Sequence, residues 1–294
     1  QVRYMIDILR SFGIRVRPEQ TDGTQSGLDV VIDAGNVSRD AFSYEEIRHC
    51  RHVFLLAISV LLRKGTVTIP LPGYSHYGPR PVDGQLSILR QLGVIVHPVR
   101  EGRVCLEIPS NGLRGSEIFL PFPSNAVTEA VLWTAVAAKG TTTISGAASE
   151  PETIDLIRFL KTAGAAIEGI GTPLLTVYGN GLESLSSPSR FTVLGARIET
   201  ATFAAGVAIC GGSVELRGVP SDVLGAIRGV LHRLGVNIDG EPGSWRLRND
   251  RWRVSAKERL NPTDMVTGPY PAFPTDALGP YLAARDRLPA EDGA

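Results

Sequence analysis

Ser75, His76, Arg80 and Asp83 all fall within one stretch, Pro70 to Gln85, reading PLPGYSHYGPRPVDGQ. A hydroxyl, an imidazole, a guanidinium and a carboxylate on one loop can move protons and hold an anion. Upstream, Thr66-Val67-Thr68-Ile69 is β-branched and predicts a strand. The prolines and glycines that follow predict a loop without regular structure. Asp83 is then placed to cap a helix whose apolar positions Val82, Leu86, Leu89 and Leu92 stop at Gly93. A loop ending over a helix N-terminus offers an anion unpaired backbone N–H groups, and Arg80 adds a permanent planar cation beside them. Such a loop is shaped for phosphate. Other chemistries fit the same residues poorly. Gly73-Tyr74-Ser75 begins like a nucleophile elbow, but the fifth position of GxSxG is Tyr77 and the glycine comes one residue late. No GxGxxG follows a strand, and no Gly-Lys pair makes a P-loop. His49-Cys50-Arg51-His52 lacks a second ligand pair at metal spacing, so it reads as the polar start of a helix and no metal is expected.

The elements around this loop recur. ILRSFGIRV, ILRQLGVIV, FLKTAGAAI and VLHRLGVNI each join an amphipathic segment to an extended run through Gly13, Gly93, Gly164 and Gly235, about 70–80 residues apart. A second motif alternates with it: LLRKGTVTI, AAKGTTTIS and AICGGSVEL turn at Gly65, Gly140 and Gly212. Each unit reads helix, strand, helix, strand, often with a further strand such as Arg103 to Ile108 or Leu174 to Tyr178. The fold class is therefore α/β built by repetition. The glycines are read as helix C-caps in the left-handed conformation, which reports fold and not chemistry. Ser184 to Arg190, reading SLSSPSR, is the most linker-like stretch and predicts domains at 1–194 and 195–294. Beyond Tyr281 the run AARDRLPAEDGA has no apolar period and is expected not to pack.

Composition narrows the function classes. The chain has 294 residues, 43% hydrophobic and 20% charged, which excludes disorder. Its 30 basic and 30 acidic residues cancel, so there is no field to hold a nucleic acid and any anion must be gripped locally. Val53 to Leu62 is the longest apolar run, too short for a bilayer and suited to a buried helix. Cys50, Cys105 and Cys210 are odd in number and far apart, which predicts free thiols and a cytoplasmic location. Val2 to Leu9 reads as an amphipathic helix without the charge pattern of a signal peptide, so the chain is expected to start inside a fold.

Four separated motifs carry a resemblance: the repeat, the loop ending Gly78-Pro79-Arg80-Pro81-Val82-Asp83, the string Arg197-Ile198-Glu199-Thr200-Ala201-Thr202-Phe203, and Pro271-Ala272-Phe273-Pro274-Thr275-Asp276. Together they resemble the enolpyruvyl transferases, nearly end to end, and within them most resemble the branch acting on UDP-N-acetylglucosamine. The resemblance implies two inside-out α/β barrel domains of repeated βαβαββ units, three repeats here with the first partial and the second domain incomplete. It implies transfer of the enolpyruvyl group of phosphoenolpyruvate to a hydroxyl of UDP-N-acetylglucosamine with loss of phosphate, as in peptidoglycan precursor synthesis, by a monomer without cofactor. The family's N-terminal strand, with a Lys-Asn pair, would lie before Gln1, and further arginines and a carboxylate beyond Ala294. That leaves a nucleotide-binding relative without turnover as an alternative.

Residue by residue, the resemblance places Arg80 on the phosphate of phosphoenolpyruvate and Asp276 as acceptor of the hydroxyl proton, where it also reads as the cap of a helix starting at Ala277. Glu150 matches an acidic residue of the catalytic cleft. Arg51 matches a family arginine, although its setting equally reads as a solvated helix start. Pro81, Val82, Asp83 and Ser124 match the uridine-nucleotide pocket. Arg197 and Glu199 match the motif at the crossing between domains, and Thr275 adjoins Asp276. There are two departures. Ser75 stands where most members carry a cysteine, and a hydroxyl cannot exchange protons near neutral pH as a thiol of pKa about 8.5 can. His76, with an ordinary pKa of about 6.5, is the candidate replacement donor. Phe122 stands in place of a family lysine near the nucleotide. An aromatic ring there favours stacking over a diphosphate contact and makes another uridine nucleotide the alternative acceptor.

Overall fold

The computed structural model describes residues 2–19, 29–50, 52–71, 74–75, 78–79, 82–188, 190–219, 221–241, 251–256, 260–261 and 263–286. The chain divides into two compact units, Gln1–Ala147 with Leu156–Ser189, and Ala148–Asp155 with Arg190–Ala294.

In the first unit, α1 (Val2–Ser11) turns its apolar face onto the core at Ile8 and leads through buried Phe12 into β1 (Arg15–Glu19), which pairs antiparallel with β2 (Asp29–Asp33). Next, α2 (Tyr44–His49) opens on a reciprocal capping box between Ser43 and Glu46. The apolar run becomes α3 (Val53–Lys64), buried at Val53, Phe54, Ala57, Ile58, Val60 and Leu61 as expected, and its stop at Gly65 delivers the chain to β3 (Thr66–Pro70). The loop expected to be irregular contains a minimal hairpin, β4 (Tyr74–Ser75) against β5 (Gly78–Pro79). Helix α4 (Asp83–Gln91) follows, then β6 (Ile95–Val96) and β7 (Arg103–Glu107), which completes a sheet of order β3-β7-β6. The register sets Val67 opposite Leu106 and Ile69 opposite Val104, all four buried.

The next repeat runs through β8 (Glu117–Phe119), α5 (Asn125–Ala137), β9 (Lys139–Ser145), α6 (Pro151–Thr162), β10 (Ala166–Glu168) and β11 (Leu174–Asn180). Its sheet has the order β10-β11-β9-β8, with only β8 and β9 parallel. One row, Ile118–Ile144–Leu175, crosses three strands fully buried, each side chain contributing about 1.5–3 kcal/mol by its burial. Helix α5 lies so close to β11 that a Cβ on Gly179 would stand 2.4 Å from the carbonyl oxygens of Ala135 and Ala138. The second unit repeats the plan with α7 (Arg197–Cys210), β12 (Ser213–Arg217), α8 (Gly225–Leu234), β13 (Val236–Glu241) and β14 (Arg251–Ala256), its sheet ordered β12-β14-β13. Its core centres on Trp252, buried and donating from Nε1 to the Val219 carbonyl at 2.8 Å. The repeat glycines take the left-handed conformation, Gly13, Gly93, Gly164 and Gly235 having φ of 82°, 96°, 100° and 105°, but Gly140 lies within β9, with Ala138 capping α5, and Gly211 rather than Gly212 caps α7.

Three expectations need correction. Asp83 does not cap α4: Val82 is the N-cap, without a side-chain bond, and Asp83 is the first helical residue, where its charge favours the positive end of the helix. Asp276 caps nothing either, because a 3-10 turn (Thr275–Ala277) precedes α9 (Leu278–Arg285), whose N-cap is Ala277. The segment after Tyr281 does pack as far as α9 extends. Tyr281 and Ala284 are buried on the same face, and the Tyr281 hydroxyl donates to the Thr263 carbonyl. Tyr281 and Ala284, at i and i+3, seat that helix.

Candidate active site

In the first unit, Val82 and Asp83 lie at the start of α4 and Ser124 at the start of α5, which packs on it. The short hairpin holds the backbone of Ser75 opposite Gly78, and Val82 leads directly into α4. Helix α4 packs on α5 at their first turns, where Gly84 is needed: a Cβ there would meet Val127 Cγ2 at 3.1 Å. Two helix N-termini therefore share one edge of this unit, Asp83 opening one and Ser124, in extended conformation, preceding the other. Neither N-cap residue spends a side chain on its helix. Two neighbouring helix starts, each the positive end of a dipole, make an arrangement suited to anions. Phe122, just ahead of Ser124, is 64% exposed, so an apolar ring stands in water beside this edge. Arg51, His76, Arg80 and Pro81 lie outside the described residues. His49 closes α2 and Cys50 is its buried C-cap, so the string holding Arg51 is a junction between α2 and α3 and not simply the start of one helix.

In the second unit three segments meet around Arg197. Its guanidinium is buried, 8% exposed, and makes a bidentate pair with Glu152, Nε to Oε1 at 3.0 Å and Nη2 to Oε2 at 3.2 Å. The same group lies over the Tyr270 ring, 5.6 Å from its centroid. One turn along α6 from Glu152, Asp155 accepts the Leu194 N–H at 2.7 Å, so the acidic first turn of α6 holds the approach to α7 at two points. Glu150 lies just before that turn, with Oε2 buried and, among the described residues, without a hydrogen-bond partner. Asp276 and Thr275 are exposed on the 3-10 turn, which packs against α7, while Glu199 is exposed on the first turn of α7 itself. Glu152, Asp155 and Tyr270 did not stand out by residue type. The available signal was spacing, since Glu152 and Asp155 are acidic at i and i+3 in a helix opened by Pro151.

The family model for EPSP synthase (3-phosphoshikimate 1-carboxyvinyltransferase) matches residues 1–288. The chain belongs to the EPSP synthase family. Among curated relatives, the UDP-N-acetylglucosamine 1-carboxyvinyltransferase of Methylobacterium sp. (strain 4-46) is 35% identical over 92% of this chain and 60% of its own length. The protein named UDP-N-acetylglucosamine 1-carboxyvinyltransferase 1 of Symbiobacterium thermophilum is 37% identical over 96% and 61%. The chain thus spans about 60% of the length of the curated relatives it matches. Among solved structures, the enolpyruvyl transferase NikO from Streptomyces tendae superposes with a TM-score of 0.78 at 20% identity, covering 97% of this chain and 64% of that one. EPSP synthase from Acinetobacter baumannii gives 0.60 at 17% identity, covering 96% and 60%. The architecture is therefore the enolpyruvyl transferase fold, the α/β repeat read from the glycine-punctuated motifs. Among the described residues, no helix is long and apolar enough to cross a membrane.

Proposed function

We propose that this chain carries the nucleotide pocket and part of the catalytic apparatus of an enolpyruvyl transferase, moving the enolpyruvyl group of phosphoenolpyruvate to a hydroxyl of UDP-N-acetylglucosamine. The observation that supports this most is identity of 35–37% across nearly the whole chain to relatives bearing that acceptor in their names. The chemistry then assigns the roles. The acceptor oxygen adds to C2 of phosphoenolpyruvate while C3 takes a proton. The tetrahedral adduct then loses a C3 proton and the C2–phosphate bond, leaving an enol ether and inorganic phosphate with nothing oxidised or reduced.

Arg80 holds the phosphate through charge-assisted bonds worth about 1.5–3 kcal/mol each, with Arg51 as a second cation. Asp276 takes the proton of the attacking hydroxyl. Ser75 cannot serve as the acid at neutral pH, so His76 donates to C3. Glu150, whose Oε2 is buried without a hydrogen-bond partner among the described residues, serves as a carboxylate of the catalytic cleft. Val82, Asp83, Ser124 and Pro81 seat the nucleotide at the paired starts of α4 and α5. The role follows that of peptidoglycan precursor synthesis in the cytoplasm, with the protein acting as a monomer.

The 64% exposure of Phe122 favours a second reading, another uridine nucleotide as acceptor. A ring in water can stack on a base but adds no charge for a diphosphate. Thermal-shift titration with UDP-N-acetylglucosamine, UMP and uridine, followed by phosphate release from phosphoenolpyruvate with each, tests both. Stabilisation and turnover greatest with UDP-N-acetylglucosamine support the first reading, and greatest with UMP or uridine the second. No stabilisation by any of the three removes both.

A further inference from the structure

Arg197 is the first residue of α7, where a cation opposes the helix macrodipole, so helix stability does not account for it. Its environment is better explained by what it joins. Through Glu152 it grips the segment that carries Glu150, and through Tyr270 it touches the loop that leads to Asp276. That loop is closed by its own backbone bonds, Gly268 N–H to the Phe273 carbonyl at 3.3 Å and Ala272 N–H to that of Pro269 at 3.0 Å, and Phe273 is anchored edge-on against Tyr281. The Tyr270 side chain is half-buried, and its hydroxyl reaches only as far as the Asp222 carbonyl, at 3.3 Å. The face of its ring is what meets the guanidinium.

We infer that Arg197 is a positioning residue, a buried clamp that uses Glu152 and the face of Tyr270 to hold the two loops bearing Glu150 and Asp276 in fixed relation to α7. The catalytic consequence rests on the enolpyruvyl-transfer reading; the clamp itself does not. A guanidinium engaged in two parallel bonds and stacked on a ring fixes direction as well as distance, which lysine at the same place would not do. Removing the Glu152 charge leaves the buried cation without its partner, so the clamp opens before the unit unfolds.

The test compares Glu152→Gln, Tyr270→Ala and Tyr270→Phe by amide hydrogen exchange and by kinetics. Exchange at Gly268, Ala272 and Ala277 is expected to speed up about tenfold or more in Glu152→Gln and Tyr270→Ala, with the β13–β14 ladder amides unmoved. Tyr270→Phe keeps the ring face and restores the slow exchange. With phosphoenolpyruvate and the preferred uridine nucleotide, kcat is expected to fall at least about tenfold in the first two variants, KM for the nucleotide staying within about twofold. Unchanged exchange at the three amides, or an equal rise in the β13–β14 ladder, overturns the clamp. Faster exchange with kcat unmoved overturns its positioning role. If the unmodified chain releases no phosphate with any acceptor, the enzymatic reading has failed, and the exchange arm still decides the clamp.

Discussion

Replacing Asp276 with asparagine separates catalysis from folding, because the structure gives the carboxylate almost nothing structural to do. It is exposed in the middle of the Thr275–Ala277 turn, whose N-cap is Pro274, and it caps neither that turn nor α9. Its stabilising contribution reduces to a negative charge one residue ahead of the α9 N-cap, worth about 0.3–1 kcal/mol. Asparagine keeps the shape, so the melting temperature should drop by no more than about 1–4 °C. If Asp276 takes the proton from the attacking hydroxyl, the same substitution removes a general base and lowers kcat about 10²–10⁴-fold. That is about 2.7–5.4 kcal/mol of transition-state stabilisation, several times the folding effect. The assay is phosphate release at saturating phosphoenolpyruvate and nucleotide, paired with thermal melts and nucleotide titration on the same preparations. A variant that turns over within about threefold of the parent while binding nucleotide normally would refute the assignment of the base.

Burial raises the Glu46 carboxyl pKa, but the Arg39 guanidinium at 3.0 and 3.2 Å and the Ser43 amide and hydroxyl outweigh it and hold the pKa below the usual glutamate range. A depressed carboxylate stabilises fully above its unfolded-state value and loses that contribution as pH falls through the lower folded value. Glu46→Gln should therefore be less stable by about 1 kcal/mol at pH 7 in denaturant melts, and the gap should close in acid. Fosfomycin, which alkylates the family's cysteine, should leave the peptide containing Ser75 unmodified by mass spectrometry, since a serine hydroxyl is not a thiolate at neutral pH. Leu89→Ala, at a fully buried position where α4 meets the first core, should cost about 2–5 kcal/mol in chemical denaturation.

The fold was legible where local chemistry and tertiary demand agree. A run such as Val53 to Leu62 has one way to hide its surface, and α3 forms there. The recurring glycines mark left-handed turns that other residues adopt at a cost, so their spacing exposed the repeat before any strand was paired. Errors came where a residue type has two uses. Aspartate before an apolar run suggests a cap, yet Val82 and Ala277 occupy those positions. The last helix was missed because it packs through Tyr281 and Ala284, and an alanine carries too little hydrophobic signal to reveal a period.

The candidate site divides along the same line. Candidates such as Ser75, Arg80 and Asp276 stand out in the sequence because their types alone suggest chemistry. Residues that hold such candidates in place look like ordinary surface charge until the tertiary structure pairs them. Glu152 is one of thirty acidic residues and becomes distinctive only because Arg197, far along the chain, is buried against it. A lone sequence cannot reveal a partner that is distant in it, and the desolvation that makes such a pair consequential is a property of the fold and not of either residue. Strain and burial should therefore be sought first between the loops that carry the reacting groups. There the fold must hold side chains to within a fraction of an ångström, and a buried arginine paired with a carboxylate and stacked on a ring supplies that stiffness.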